Sequence, residues 1–203
     1  MTRPAFTLSS AFRGALLLAV LALDQATKYW ARVRFSLPDG QPDYMRSIGI
    51  LGDWLRFRLV YNTGAAFGMR PQNFLPFLQP TWFYALFSLA AIVFLSAYYR
   101  RLGPKEWGAR LGVVLILAGA VGNLVDRLRF HKVTDFIDTG IPGFFPRWPT
   151  FNIADSSVCI GMALLLLLPL WARHTAPHPT RQSGLGPAGE KNQGVATGSG
   201  DGS

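Results

Sequence analysis

The sequence predicts an all-α membrane protein built on four transmembrane helices, and three observations predict it. Half of the 203 residues are hydrophobic and only 15% are charged, against roughly 25% in an ordinary soluble domain. Four apolar stretches are long enough to span a bilayer, which takes roughly 20 residues of helix. Aromatic residues (Trp30, Trp82, Tyr98, Tyr99, Trp107, Trp148 and Trp171) lie at or near the ends of those stretches, where amphipathic rings settle at the lipid–water boundary. A soluble enzyme does not fit this composition.

The first stretch runs from about Phe12 to Ala31 and is rich in Leu and Ala. A cleaved signal peptide would also place Arg3 and Arg13 ahead of Leu16–Leu23. The apolar run continues through Asp24 to Trp30 with no small-residue cleavage site, so it is read as a retained span. The second runs from about Thr81 to Tyr99, the third from about Trp107 to Val125, and the fourth from about Phe151 to Ala172. The short loop Arg100-Arg101-Leu102-Gly103-Pro104-Lys105 is densely basic and is expected in the cytoplasm, which puts both termini there too. The loop after the first span also holds arginines, Arg32, Arg34, Arg46, Arg56, Arg58 and Arg70, spread over a longer stretch.

Between spans one and two, Leu55, Phe57, Leu59 and Tyr61 alternate with Arg56 and Arg58, the pattern of a half-buried strand. A small sheet on the membrane surface is expected within about residues 32–80. The segment Arg127–Pro149 holds Gly140, Pro142, Gly143, Pro146 and Pro149 and reads as loop with at most a short helix. From His174 to Ser203 the chain is rich in Gly, Pro, Ser and Thr, with too little apolar surface to fold.

Charge and cysteine content exclude further classes. The formal charge is +9, but Lys and Arg flank apolar segments instead of forming one stripe, which suits an anionic membrane surface and not a nucleic acid. The single cysteine, Cys159, permits no intrachain disulfide and no cysteine-built zinc site. His174 and His178 have metal-pair spacing but sit in the Pro-rich tail.

Polar residues at span ends carry the functional signal, because they are costly in lipid. Asp24 and Lys28 are four residues apart on one helix face, as a structural ion pair or a support for a nearby site. Asn123, Asp126 and Arg127 share a face at the end of the third span, beside Gly119, Ala120 and Gly122, small residues that admit a close neighbour. Asn152 and Asp155 open the fourth span, as cap and first-turn acid. Asp135 lies among Val133, Phe136 and Ile137, unlike an ordinary loop acid. The third and fourth spans join on the outer side, so Asp126, Asp135 and Asp155 can converge at one membrane face. Two carboxylates meeting where water is scarce do not both ionise. One can then take a proton from water while its protonated partner polarises a carbonyl, the chemistry of an aspartic peptidase. Gly-x-Ser-x-Gly, His-Glu-x-x-His and Walker motifs are absent from the sequence.

Four blocks, in order over about residues 12–172, resemble the lipoprotein signal peptidase (signal peptidase II) family. They are Asp24-Gln25-x-x-Lys28; Asn62-Thr63-Gly64-Ala65-Ala66-Phe67; Gly119-Ala120-x-Gly122-Asn123-x-x-Asp126-Arg127 followed by Val133-x-Asp135-Phe136; and Phe151-Asn152-x-Ala154-Asp155. The resemblance implies four transmembrane helices with a small extracytoplasmic β-sheet cradle and a short interfacial helix. It implies an aspartic endopeptidase of the bacterial plasma membrane, acting on prolipoproteins whose lipobox cysteine carries diacylglycerol and cutting just before that cysteine. Globomycin-type inhibitors are expected to bind, and no metal or organic cofactor is implied. Carried over by motif, the catalytic residues are Asp135 and Asp155. Asn62, Gly64, Asn123, Arg127 and Asn152 fall in the substrate-binding or supporting set. Asp126 is structural and expected to engage Arg127, and Asp24 and Lys28 stabilise the first helix and the cradle. Two departures stand out: Ala118 replaces a customary Gly, and the Gly/Pro-rich segment Asp138–Pro149 puts the short helix in question. The domain organisation that follows is a membrane peptidase domain, residues 1–173, and a cytoplasmic tail, residues 174–203.

Two other classes compete. A small multi-span transporter needs a polar track through the bilayer, whereas the polar groups here gather at outer ends and the second span has only Ser88 near its middle. A non-catalytic membrane scaffold would tolerate Asp→Asn changes that a peptidase would not.

Overall fold

In a computed structural model of the chain, the structure describes residues 9–64, 80–144 and 147–175, with side chains described to residue 168 in the last helix. The order of elements is α1 (Ser10–Phe35), β1 (Ile48–Leu51), β2 (Leu55–Asn62), α2 (Pro80–Arg101), α3 (Trp107–Phe130), β3 (Val133–Thr139) and α4 (Ile153–Thr175). α1, α2 and α3 are long and apolar enough to cross a membrane, and the apolar part of α4 is described over Ile153–Leu168.

The helices run up and down, as contacts at both ends of the bundle show. At one end the Arg13 guanidinium at the start of α1 donates to the Tyr99 hydroxyl at the end of α2. Near the same end, Gly108 of α3 lies against the Leu168 side chain of α4. At the other end the Thr81 hydroxyl of α2 donates to the carbonyl of His131, which caps α3 in the left-handed region at φ 57°. Lipid-facing side chains such as Leu18, Phe87, Phe94 and Leu166 are exposed, while Asp24, Lys28, Asp126 and Asn152 are fully buried. That inversion of a soluble protein's pattern is what a bilayer imposes: apolar surface faces the tails, and polar groups must find partners inside.

α3 and α4 meet along small residues. A Cβ on Gly119 would lie 2.3 Å from the Ala154 carbonyl oxygen, and one on Gly112 would lie 2.7 Å from the Gly161 carbonyl oxygen. These glycines let the two backbones touch, and the Ser157 hydroxyl fastens the seam by donating to the Leu115 carbonyl. The sequence expectation of a close neighbour at Gly119 and Gly122 holds.

The sheet is antiparallel, in the order β1-β2-β3. The expected strand is β2, and Phe57, Leu59 and Tyr61 face a core with Ala31, Phe35 and Phe136. Trp30 packs edge-on against Phe35, Phe57 and Phe136, fixing the sheet to the last turns of α1. On the opposite face, Arg56 and Arg58 of β2 and Arg147 surround the buried Asp138 carboxylate at 2.5, 3.2 and 3.0 Å.

Two expectations are corrected. The sheet is not confined to residues 32–80: it takes its third strand from Val133–Thr139, where loop was expected. Between β3 and α4 the described residues form turns and extended backbone, with no short interfacial helix. The prolines and glycines of this segment supply turns, and its backbone is used otherwise: Phe151 pairs with β3, giving its N–H to the Ile137 carbonyl and accepting from Phe136 and Ile137. The expected tail beyond residue 175, and Ala65-Ala66-Phe67 of the second block, lie outside the described residues.

Candidate active site

Helix α3 stops at His131 and the chain turns straight into β3. Successive strand residues point to opposite faces, so Phe136 enters the aromatic core while Asp135 faces the helix ends. The pairing of Phe151 with β3 then sets Asn152 and the start of α4 beside Asp135.

Asn152 and Asp155 form a reciprocal cap. The Asn152 Oδ1 accepts the Asp155 backbone N–H at 2.9 Å, and the Asp155 Oδ2 accepts the Asn152 backbone N–H at 3.1 Å. This satisfies two N–H groups that a helix start leaves open and fixes both side chains. The Asn152 amide nitrogen is left pointing away from α4, and it donates to the Asp135 Oδ1 at 2.7 Å. One asparagine therefore touches both carboxylates.

Asn123 of α3 holds the pair from the other side. Its Nδ2 donates to the Asp155 Oδ1 at 2.8 Å, and its Oδ1 accepts from Lys28 Nζ at 2.8 Å and from Asn152 Nδ2 at 3.2 Å. Lys28 also pairs with Asp24 at 2.9 Å, as the spacing on α1 predicts. Asp24 in turn reaches α4, where its Oδ1 accepts the Ala154 backbone N–H at 2.9 Å.

Asp126 is corrected. Its carboxylate makes no direct ion pair with Arg127 and acts on it only through its charge at longer range. Its Oδ2 lies 3.7 Å from Lys28 Nζ and accepts the Thr134 N–H at 2.9 Å, and its Oδ1 lies 3.7 Å from Arg32. Adjacent helix residues point about 100° apart and do not face each other. Asp126 accordingly ties α1 to the start of β3. Arg127 instead donates to the Asn123 carbonyl at 3.4 Å and lies over the Tyr84 ring of α2.

Asn62 closes the site from the end of β2. Its Oδ1 accepts the Gly64 N–H at 2.8 Å, and its side chain hydrogen-bonds Asp135. Gly64 has φ 109°, and a Cβ there would overlap the Tyr84 ring at 2.2 Å, so no larger residue fits. The described candidate site residues thus fall at one end of the bundle. Sequence reasoning missed Arg32, Thr134 and Tyr84. Arg32 and Thr134 bond each other at 2.8 Å across 102 positions of chain, a distance no local motif spans. Tyr84 carries a weak signal as a polar ring in the first turns of an otherwise apolar helix.

Burial, and then the neighbouring Asp155 carboxylate, push the Asp135 carboxyl from 3.8 up to about 7, against the pull of Asn62, Asn152 and Lys28. Near neutral pH Asp135 can therefore carry a proton beside a second carboxyl. At β3's far end, burial is outweighed by Arg56, Arg147 and Arg58, which hold the Asp138 carboxyl below its usual range.

An apolar helical bundle that buries such a carboxyl pair at one end has the build of a membrane-embedded aspartic peptidase. The model of the family Signal peptidase (SPase) II matches residues 16–171. The lipoprotein signal peptidase of Moorella thermoacetica is 41% identical over 157 residues, covering 76% of this chain and 91% of that protein. That of Syntrophotalea carbinolica is 37% identical, covering 77% and 90%. A solved bacterial membrane enzyme superposes with a TM-score of 0.67 at 26% identity, over 83% of this chain and 98% of that one. The chain belongs to the signal peptidase II family and is an aspartic protease of that type.

Proposed function

We propose that this enzyme removes the signal peptide from prolipoproteins whose lipobox cysteine carries diacylglycerol, cutting just before that cysteine, with Asp135 and Asp155 as the catalytic pair. The observation that carries the assignment is Asn152, which bonds the Asp135 carboxyl through its side chain and the Asp155 carboxylate through its backbone. Relatives named lipoprotein signal peptidase supply the substrate class.

In this reading Asp155, at the positive end of α4 and facing the Asn123 amide and the Asn152 N–H, is the ionised partner. It takes a proton from water as the water oxygen attacks the scissile carbonyl carbon. The protonated Asp135 gives its proton to the carbonyl oxygen. Collapse of the tetrahedral intermediate returns that proton to Asp135, and Asp155 passes its proton to the leaving amine of the lipidated cysteine. Arg127, Asn62 and Gly64 border the space beside the dyad and orient the substrate backbone. Asp24, Lys28 and Asp126 hold the dyad's supports. No step calls for a cofactor.

The working unit is residues 1–173, a four-span peptidase domain with α4 as the fourth span, and 174–203 is a tail. The enzyme sits in the bacterial inner membrane, with the dyad at its outer face and both termini in the cytoplasm, as the basic turn at residues 100–105 favours. The test is cleavage of a diacylated lipobox peptide by purified protein. Asp135→Asn and Asp155→Asn should each lower the rate at least ~10²-fold, the lower end of what general acid–base groups contribute, while remaining folded. A globomycin-type inhibitor should block the wild type. Wild-type turnover by either variant would remove the dyad assignment.

A further inference from the structure

We infer that Lys28 is a positioning residue for the dyad: through Asn123 it fixes the direction of the hydrogen bonds that keep Asp155 ionised and leave the shared proton on Asp135. This rests on Asp135 and Asp155 being the reacting pair.

The argument is one of hydrogen-bond polarity. A lysine ammonium only donates. Its contact with Asn123 at 2.8 Å therefore assigns the carboxamide oxygen to the Lys28 side. The amide nitrogen must then face Asp155, 2.8 Å away, and an NH₂ group only donates. Asp155 Oδ1 is thereby required to accept. Its Oδ2 also faces a donor, the Asn152 N–H. A proton on Asp155 finds no acceptor among these partners. Asn152 is oriented by the same logic, because its Oδ1 accepts the Asp155 N–H and its NH₂ end is turned toward Asp135.

A purely structural lysine would need only its carboxylates. Asp24 at 2.9 Å already supplies an ion pair, with Asp126 at 3.7 Å beyond it. The shortest contact of Lys28 is nonetheless with the uncharged Asn123. Lys28 is fully buried, so its charge acts on the dyad without screening by water. Without it, the Asn123 amide can turn over, present its oxygen to Asp155 and stabilise a protonated Asp155. Of the bonds above, only the weaker one from Asn152, at 3.2 Å, would oppose the turn.

The charged and titratable groups around the dyad are Lys28, Asp24 and Arg32 from α1, Tyr84 from α2, and Asp126 and Arg127 from α3, with the dyad itself on β3 and α4. Removing Lys28 takes away a positive charge, so both limbs of the kcat–pH profile should move to higher pH. The expected displacement is roughly 1 pH unit, the low end for a nearby opposite charge. Lys28→Met leaves Asp24 and Asp126 short of a partner and can fail to fold. The double variant Lys28→Met/Asp24→Asn removes one charge of each sign and keeps the test available.

The experiment measures kcat and KM against pH for the full-length wild type and the double variant in detergent, and the infrared carboxylic-acid C=O stretch near pH 6. The expected result is a fall in kcat of ~10-fold or more with KM nearly unchanged, and both limbs at higher pH than in the Asp24→Asn single variant. In the wild type the C=O band should vanish with Asp135→Asn. In the Lys28 background part of it should respond to Asp155→Asn instead. The Asp24→Asn single variant loses a negative charge that acts on the dyad, so its limbs should move to lower pH while the wild-type band assignment is kept, and it is the reference for the double variant. Lower yield with the limbs and band of the Asp24→Asn single variant would reduce Lys28 to a structural ion pair and overturn the proposal. If Asp135→Asn and Asp155→Asn retained cleavage, the dyad assignment would fail instead, and the infrared bands would still report whether Lys28 directs the proton.

Discussion

Replacing Asp135 by Asn should stabilise the protein as it destroys activity, and the gain should grow with pH. Asp135 titrates at about 7 in the folded chain and at 3.8 when unperturbed. Between about pH 4 and about pH 7 the folded chain keeps a proton that the unfolded chain has released. Stability therefore falls as pH rises through that window and is level above it. At about 1.4 kcal/mol per pH unit, this residue alone costs about 4 kcal/mol at pH 8. An asparagine of the same shape keeps an oxygen to accept from the Asn152 amide and has no charge to desolvate. The assay is thermal unfolding of wild type and Asp135→Asn in the same detergent at pH 5 and pH 8. The advantage of the variant should rise by about 2–3 kcal/mol between the two. Other titrating groups are common to both proteins and cancel. An advantage that stays constant with pH, or a variant less stable than wild type at pH 8, would refute an ionisation penalty at Asp135.

Three further outcomes follow from the same geometry. Asp126→Asn takes a carboxylate from Arg32 while Lys28 keeps Asp24, and should lower stability by less than the ~3–5 kcal/mol of a fully buried broken pair, with some activity per folded molecule retained because the amide oxygen can still accept the Thr134 N–H; melting and active-site titration check it. Gly119→Ala puts a methyl 2.3 Å from the Ala154 carbonyl oxygen, so α4 must shift; a loss of about 1–3 kcal/mol should come with a drop in kcat measured on the lipobox peptide. Asp138→Asn should weaken the cradle above about pH 4, where the carboxylate is charged, with the difference from wild type vanishing as pH falls through the lowered value; melting at pH 3 and pH 7 tests this, and kcat should change little.

The parts of the fold legible in the sequence are those with a local period. α1, α2 and α3 show as apolar runs, and β2 shows as alternation of Leu55, Phe57, Leu59 and Tyr61 with arginines. β3 was not legible because Val133, Thr134, Asp135 and Phe136 are all buried. A strand covered on both faces has no alternation, and two aspartates depress its apparent propensity. The candidate site was legible residue by residue through its blocks, but its wiring was not. Asp126 next to Arg127 suggests a pair on paper, whereas the helix turns the two apart and brings Asp126 to Lys28, 98 positions earlier. The asparagine cap at Asn152 and the proposed dyad role of Asp155 look like alternatives in sequence, and the reciprocal bonds between the two residues are compatible with both.

That arrangement explains why so many charges are buried where they add little net stability. Two carboxylates, Asp24 and Asp126, face two cations, Lys28 and Arg32, at one end of the bundle. Buried pairs of this kind often do no better than apolar side chains would. The same side chains, however, also make bonds that cross between elements. Asp24 of α1 holds the Ala154 N–H of α4, Asp126 of α3 holds the Thr134 N–H of β3, and Lys28 of α1 holds Asn123 of α3. Thr134 and Ala154 are the chain neighbours of Asp135 and Asp155. The ionic groups therefore clamp the backbone on either side of the proposed reacting pair, where errors of about 0.5 Å matter. Leucines at the same positions would pack the helices but leave the two N–H groups unpaired and the two aspartates free to separate.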